Sequence, residues 1–119
     1  MSQIKRIILP MINLYLDDLR PCPDNFTLAR NALECRLLLL SNDVNTLSLD
    51  HDLGEVDAET GYDLCKWLVE LGNYDPSIYP KQIFLHTANG VGRDNMFKLL
   101  ERYKPDWVKL HRGPMPNND

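Results

Sequence analysis

INLYLDD, residues 12–18, decides how the rest of the chain is read: the apolar, strand-forming run Ile12 to Leu16 ends in the acidic pair Asp17 and Asp18. Arg20, Pro21 and Pro23 then force a loop, so a short buried-type strand delivers two carboxylates to its carboxyl end. The pattern recurs downstream. Thr46 to Leu49 reads as a strand that stops at Asp50, His51, Asp52 and Gly54, and Gln82 to Leu85 as one that stops at His86, Thr87 and Asn89. Phe26 to Arg30 reads as a further short strand, and Trp107 to Leu110 as the last.

Helices fill the intervals. Asn31, with Glu34 three residues on, has the capping pattern of a helix running through Cys35 to Leu40. Thr60 and Asp63 repeat it, and Leu64, Trp67, Leu68 and Leu71 recur at helical spacing up to Gly72. Gly90 and Gly92 lead into a third helix with Met96, Leu99, Leu100 and Tyr103 on its inner face, which Pro105 terminates. Strands that alternate with helices in one small chain predict an α/β fold, a doubly wound parallel five-stranded sheet with helices on both faces. In such sheets ligands bind beyond the carboxyl ends of the strands, where these polar residues cluster.

The chain of 119 residues supports one domain. We expect a domain over 11–113, an N-terminal extension over 1–10 and a tail over 114–119. Hydrophobic residues make up 44% and charged residues 25% of the sequence, as in a folded globule rather than a disordered chain. The net charge of -4 argues against duplex DNA as a partner. Residues 1–80 carry 13 acids and 6 bases, whereas 81–119 carry 4 acids and 7 bases, so an acidic cluster and a basic rim are expected to face one cleft. Lys5 and Arg6 before an apolar stretch superficially resemble a leader, but Pro10, Asn13 and the following aspartates argue against both leader and membrane span. The three cysteines, Cys22, Cys35 and Cys65, have neither disulfide nor zinc spacing, and fit a cytoplasmic setting.

Asp17, Asp18, Asp50 and Asp52 from two strand ends would repel one another unless a cation neutralised them, and an all-oxygen ligand set suits Mg2+ or Mn2+. Asp24, Asp57 and Asp75 read instead as solvated loop acids. His51 and His86, at two strand ends, are candidates for general base and general acid in phosphoryl chemistry. Thr87, Asn89, Arg93 and Lys109 are the candidates for holding the substrate's phosphoryl group. Trp67, Phe84, Phe97 and Trp107 sit in apolar patterns and are expected in the core.

The motifs LYLDDLRP, SLDHDLG, TGYDLCKWL and HTANGVGRDNM together resemble the cyclic-phosphate processing receiver domain, a divergent group of response-regulator receivers, over about Ile12 to Leu110. The resemblance implies a receiver-like sheet, a divalent cation at the acidic pair, Asp50 at the phosphoacceptor position, and processing of cyclic phosphates, such as 2',3'-cyclic phosphate ends of RNA or nucleotides. This chain departs from ordinary receivers in two places. Leu19 to Asn25 are too few for a first helix, which should be missing or reduced, and Lys109 is followed by Leu110 rather than proline. Three functions are thus expected in order: a metal-dependent phosphoesterase in which either a metal-activated water or the catalytic Asp50 itself attacks the phosphorus, a stand-alone receiver phosphorylated on Asp50, and an inert module that binds a protein partner.

Overall fold

The computed structural model describes residues 8–54 and 58–116. Most of the expected N-terminal extension, the end of the tail and Asp57 lie outside the described residues. Five strands, β1 (Met11–Leu16), β2 (Thr27–Ala29), β3 (Asp43–Leu49), β4 (Gln82–Leu85) and β5 (Lys109–His111), alternate with α1 (Ala32–Ser41), α2 (Gly61–Gly72) and α3 (Gly90–Tyr103). A single 3-10 turn, Pro76–Ile78, precedes β4. All strand pairs are parallel in the order β2-β1-β3-β4-β5, so the chain steps outward from β1 to β2 and then reverses, crossing β1 to reach β3, as in a doubly wound receiver-like fold. No helix joins β1 to β2, in keeping with the shortness of that segment.

That missing helix changes the layering. The crossovers from β2 to β3, β3 to β4 and β4 to β5 all step the same way across the sheet, and right-handed crossovers therefore put their helices on one face. Consistently, α2 packs against both α1 and α3. The described helices thus form one layer rather than the expected two.

Parallel register converts strand alternation into rows that run across the sheet. Toward the helices, Leu14, Leu47 and Ile83 form one row and Leu16, Leu49 and Leu85 the next, all fully buried with Leu64, Leu68, Met96 and Leu100. The opposite face carries a row of Tyr15, Ser48, Phe84 and His111, and, nearer the amino edge, Asn13, Thr46, Gln82 and Lys109. Phe84 stacks on His111 with ring centroids 4.0 Å apart.

Most helix signals act as the sequence predicts. The Asn31 side chain accepts from the Glu34 N–H, and Thr60 and Asp63 form a reciprocal capping box on α2. Glu34, however, reaches back to the Arg30 N–H (2.8 Å), one residue beyond the cap. Three expectations need correction. Trp107 lies in the turn before β5 and is 52% exposed, because the strand starts two residues later than its apolar pattern suggests. Tyr103 is likewise exposed at the end of α3. Asp75 is buried: it caps the 3-10 turn and accepts from both the N–H and the hydroxyl of Ser77. No described helix is long and apolar enough to cross a membrane.

Candidate active site at the carboxyl edge

Two residues beyond Tyr15, Ser48 and Phe84, on the same face of the sheet, come Asp17, Asp50 and His86. Strand alternation alone therefore brings these three together at the carboxyl edge, and their ligand atoms lie within 4.8 Å of one another. A cleft of about 320 Å³ opens there, lined by Asp17, Asp18, Arg20, Asp50, Asp52 and Thr87, among others.

Asp17 is buried and its acceptor capacity is largely committed. Its Oδ1 accepts from the N–H groups of Leu19 and Arg20, both at 2.8 Å, and its Oδ2 meets His86 Nε2 at 2.9 Å. Burial pushes its pKa up, but these amide bonds, together with His86, outweigh it and hold the carboxyl below its usual range. Of the four lone pairs on a carboxylate, one on Oδ2 is left for a further partner.

Asp50 behaves in the opposite way. Burial, with the charge of Asp17 beside it, raises its pKa despite hydrogen bonds from the Thr87 hydroxyl and the His51 N–H (2.7 Å). A partly desolvated carboxylate next to a second one is the charge pattern that a hard cation relieves. Asp50 and the remaining lone pair of Asp17 therefore fit a divalent cation with oxygen ligands, and Asp18 lines the same cleft. Asp52 fits less well, because its exposed carboxylate is already engaged by His51 and Asn89.

The two histidines occupy unlike positions. The His86 side chain is 1% exposed, its Nδ1 lies 2.7 Å from Ser48 Oγ, and its ring stacks on Tyr15 at a centroid distance of 4.4 Å. Burial lowers its pKa, a shift that Asp17 partly opposes. With both nitrogens committed, His86 lies behind Asp17 rather than at the cleft surface. His51 stands beside the cleft, between the cleft-lining Asp50 and Asp52. Its Nδ1 is 2.8 Å from Asp52 Oδ1, and its Nε2 bonds to no described residue. Its ring lies over Gly92, where an added Cβ would come within 2.4 Å of His51 Cγ. Gly61 is required in the same way: a Cβ there would meet the Asp50 carbonyl oxygen at 2.1 Å, and its N–H donates to the His51 carbonyl at 2.8 Å.

Asn89 caps α3 by accepting from Gly92 N–H (2.9 Å), while its amide nitrogen reaches Asp52 (3.2 Å) and so helps fix the His51–Asp52 pair. Thr87 is buried beside Asp50. Arg93 donates to the Thr87 carbonyl (3.3 Å), at the margin of the cleft. Lys109 is not brought here. It belongs to the row of Gln82 at the amino edge, four residues or about 13 Å from the row of Asp50. Just beyond β5, the Gly113 carbonyl accepts from Leu85 N–H (3.1 Å). Arg20 is the cleft cation that sequence reasoning missed. It donates to the His86 carbonyl, and its Nε lies 3.9 Å from Asp17 Oδ2. Ser48 and Tyr15, which orient His86, were also missed, since nothing in a strand pattern tells a positioning hydroxyl from a packing residue.

The fold, with its carboxyl-edge aspartates and buried strand-end threonine, defines a receiver-like α/β domain. Residues 12–102 match the Cyclic-phosphate processing Receiver domain, and the chain belongs to that family. No curated protein and no solved structure matches it.

Proposed function

We propose that the protein is a metal-dependent phosphoesterase that opens cyclic phosphates, with the 2',3'-cyclic phosphate end of an RNA or a nucleotide as substrate. The observation that carries this reading is His51, an imidazole whose Nδ1 is fixed by Asp52 and whose Nε2 is left to act, beside a cleft that holds the desolvated carboxylates of Asp17 and Asp50. Such an arrangement orients a general base as the carboxylate of a catalytic triad does. A site that only accepts a phosphoryl group has no use for it.

Asp17, Asp18 and Asp50 would hold Mg2+ or Mn2+, which when bound supplies Lewis-acid polarisation of the phosphoryl oxygens. His51 Nε2 takes the proton of the attacking water, and the bond from phosphorus to one ribose oxygen breaks. That oxygen takes its proton from solvent, because His86 is enclosed. Arg20 balances the charge of the phosphoryl group, with Arg93 at the margin. His86 acts through Asp17, which it holds in place, and is a positioning residue. Asn89 and Thr87 likewise position His51–Asp52 and Asp50.

Phosphorus NMR of a 2',3'-cyclic nucleotide and a short RNA with that end, incubated with the protein and Mg2+ or Mn2+, tests the reading. The expected outcome is metal-dependent conversion to a monoester that His51→Ala abolishes. A cyclic signal that persists under every metal overturns it. The hydrogen bond from Thr87 to Asp50 favours a second reading, in which Asp50 is phosphorylated as in a signalling receiver and a protein partner reads the change. Acid-labile phosphorylation of Asp50 by a small phosphodonor, unaffected by His51→Ala, would select that alternative.

A further inference from the structure

Lys109 opens β5 in register with Gln82 and donates its N–H to the Lys81 carbonyl at 3.0 Å, while Lys81 donates to Val44 at 3.3 Å. The two lysines thus sit on neighbouring chain segments, about 4.8 Å apart at the backbone. A cleft of about 450 Å³ lies here, lined by Asn45, Lys81, Gln82, Trp107 and Lys109. Neither lysine has a carboxylate within 4.0 Å among the described residues, and the acids nearest to them in sequence, Asp75 and Asp106, do not line the cleft, nor does Asp43 beside Asn45. The Trp107 indole is half exposed. Gln82 is held between Thr46 Oγ1 (3.0 Å) and His111 Nε2 (3.3 Å), and Asn45 donates to Thr46 Oγ1 (3.2 Å) while its Oδ1 accepts from no described residue.

We infer that this cleft is a second binding site, at the opposite edge of the sheet from Asp50, for a nucleotide. The indole supplies a stacking surface for a base, the two ammonium groups neutralise its phosphate, and the Asn45 and Gln82 amides face the polar edge of the ring. A simple anion would use the lysines and leave the indole idle. The cleft volume lies within the range of small-ligand sites. The same chemistry serves a free nucleotide and one unit of a single strand. The inference does not depend on phosphoesterase activity.

The chain has two tryptophans, so Trp67→Phe leaves Trp107 as the only indole reporter. Its fluorescence is titrated with adenosine monophosphate, a five-residue single-stranded RNA, inorganic phosphate and an acidic peptide. Saturable quenching by the nucleotide or the RNA is expected, weakened about tenfold or more by Lys81→Ala with Lys109→Ala, and unchanged by Asp50→Asn. Removing the stack should also weaken binding: fluorescence anisotropy of labelled RNA or nucleotide with Trp107→Ala should show affinity reduced by about ten- to hundredfold. Equal affinities for both ligands assign the site to free nucleotides, and much tighter RNA binding assigns it to a strand. No quenching by either, quenching that survives loss of both lysines, or preference for phosphate or peptide overturns the inference.

Discussion

At the scale of single residues, the site depends on groups that never face the cleft. Gly92 is one. A methyl there would occupy the place of the His51 ring, so Gly92→Ala should swing the imidazole away from Asp52. Turnover should be lost as in His51→Ala, with the fold retained, and kinetics beside the His51 proton resonances would check both halves. His86 is the other. His86→Ala strips a buried hydrogen bond from Asp17 and from Ser48 and removes the ring stacked on Tyr15. We expect destabilisation of about 2–3 kcal/mol from the unpaired groups, and metal affinity about 10–100-fold weaker because Asp17 loses its orientation. Urea titration with and without metal would separate the two effects, and unchanged metal affinity would remove the positioning role. The acids and histidines of this site were legible because each stands directly after an apolar strand. Their division of labour was not. Whether a strand-end histidine is enclosed or open depends on which face it continues: His86 continues the face of Tyr15 and Ser48, and a single sequence does not state cross-strand register. Lys109 went astray for the same reason, since moving the start of β5 by two residues carries a side chain from the strand's far end to its near one.

At the scale of elements, α2 was the most legible because capping and periodicity agree, and its amino end also supports the site through Gly61. Asp63 is central to that start. The Thr60 N–H bond holds its carboxyl below the usual range against the opposing effect of burial, with added help from Lys66 and the Thr60 hydroxyl. A carboxylate with a depressed folded pKa contributes stability above its unfolded pKa and loses it as the pH falls through the folded value. Asp63→Asn should therefore be less stable than the wild type by about 0.5–1 kcal/mol above roughly pH 5, with the gap closing in more acidic solution. Denaturation at a series of pH values would show it, and a gap constant with pH would exclude the charged capping bond as its cause. Where signals were mixed, the reading drifted. β3 begins at Asp43, three residues before its apolar run, because the backbone of Asp43 pairs with Pro10 and continues the ladder regardless of side-chain polarity.

At the scale of the whole molecule, a sheet with one helical layer concentrates its aliphatic core on one side and its chemistry on the other. The helices lie on one face because, as the shortness of the segment predicts, ten residues between β1 and β2 leave no room for the helix that would cover the second face. The aspartates at the edge of that face impose a global cost that a cation should reverse. Asp50 carries a raised pKa, first from burial and then from Asp17, so its ionised form opposes folding at neutral pH. Replacing it by the neutral isostere in Asp50→Asn should raise the Tm of the metal-free protein. The same change should abolish stabilisation by metal. For the wild type, Mg2+ or Mn2+ at a hundred times its Kd adds about 2.7 kcal/mol, which for a chain of this size is a Tm increase of roughly 10 °C. Thermal melts in chelator and across a metal titration would therefore cross: the variant melts higher without metal, the wild type higher with it. Parallel curves would mean that the carboxylates are not a cation site, and the phosphoesterase reading would lose its metal.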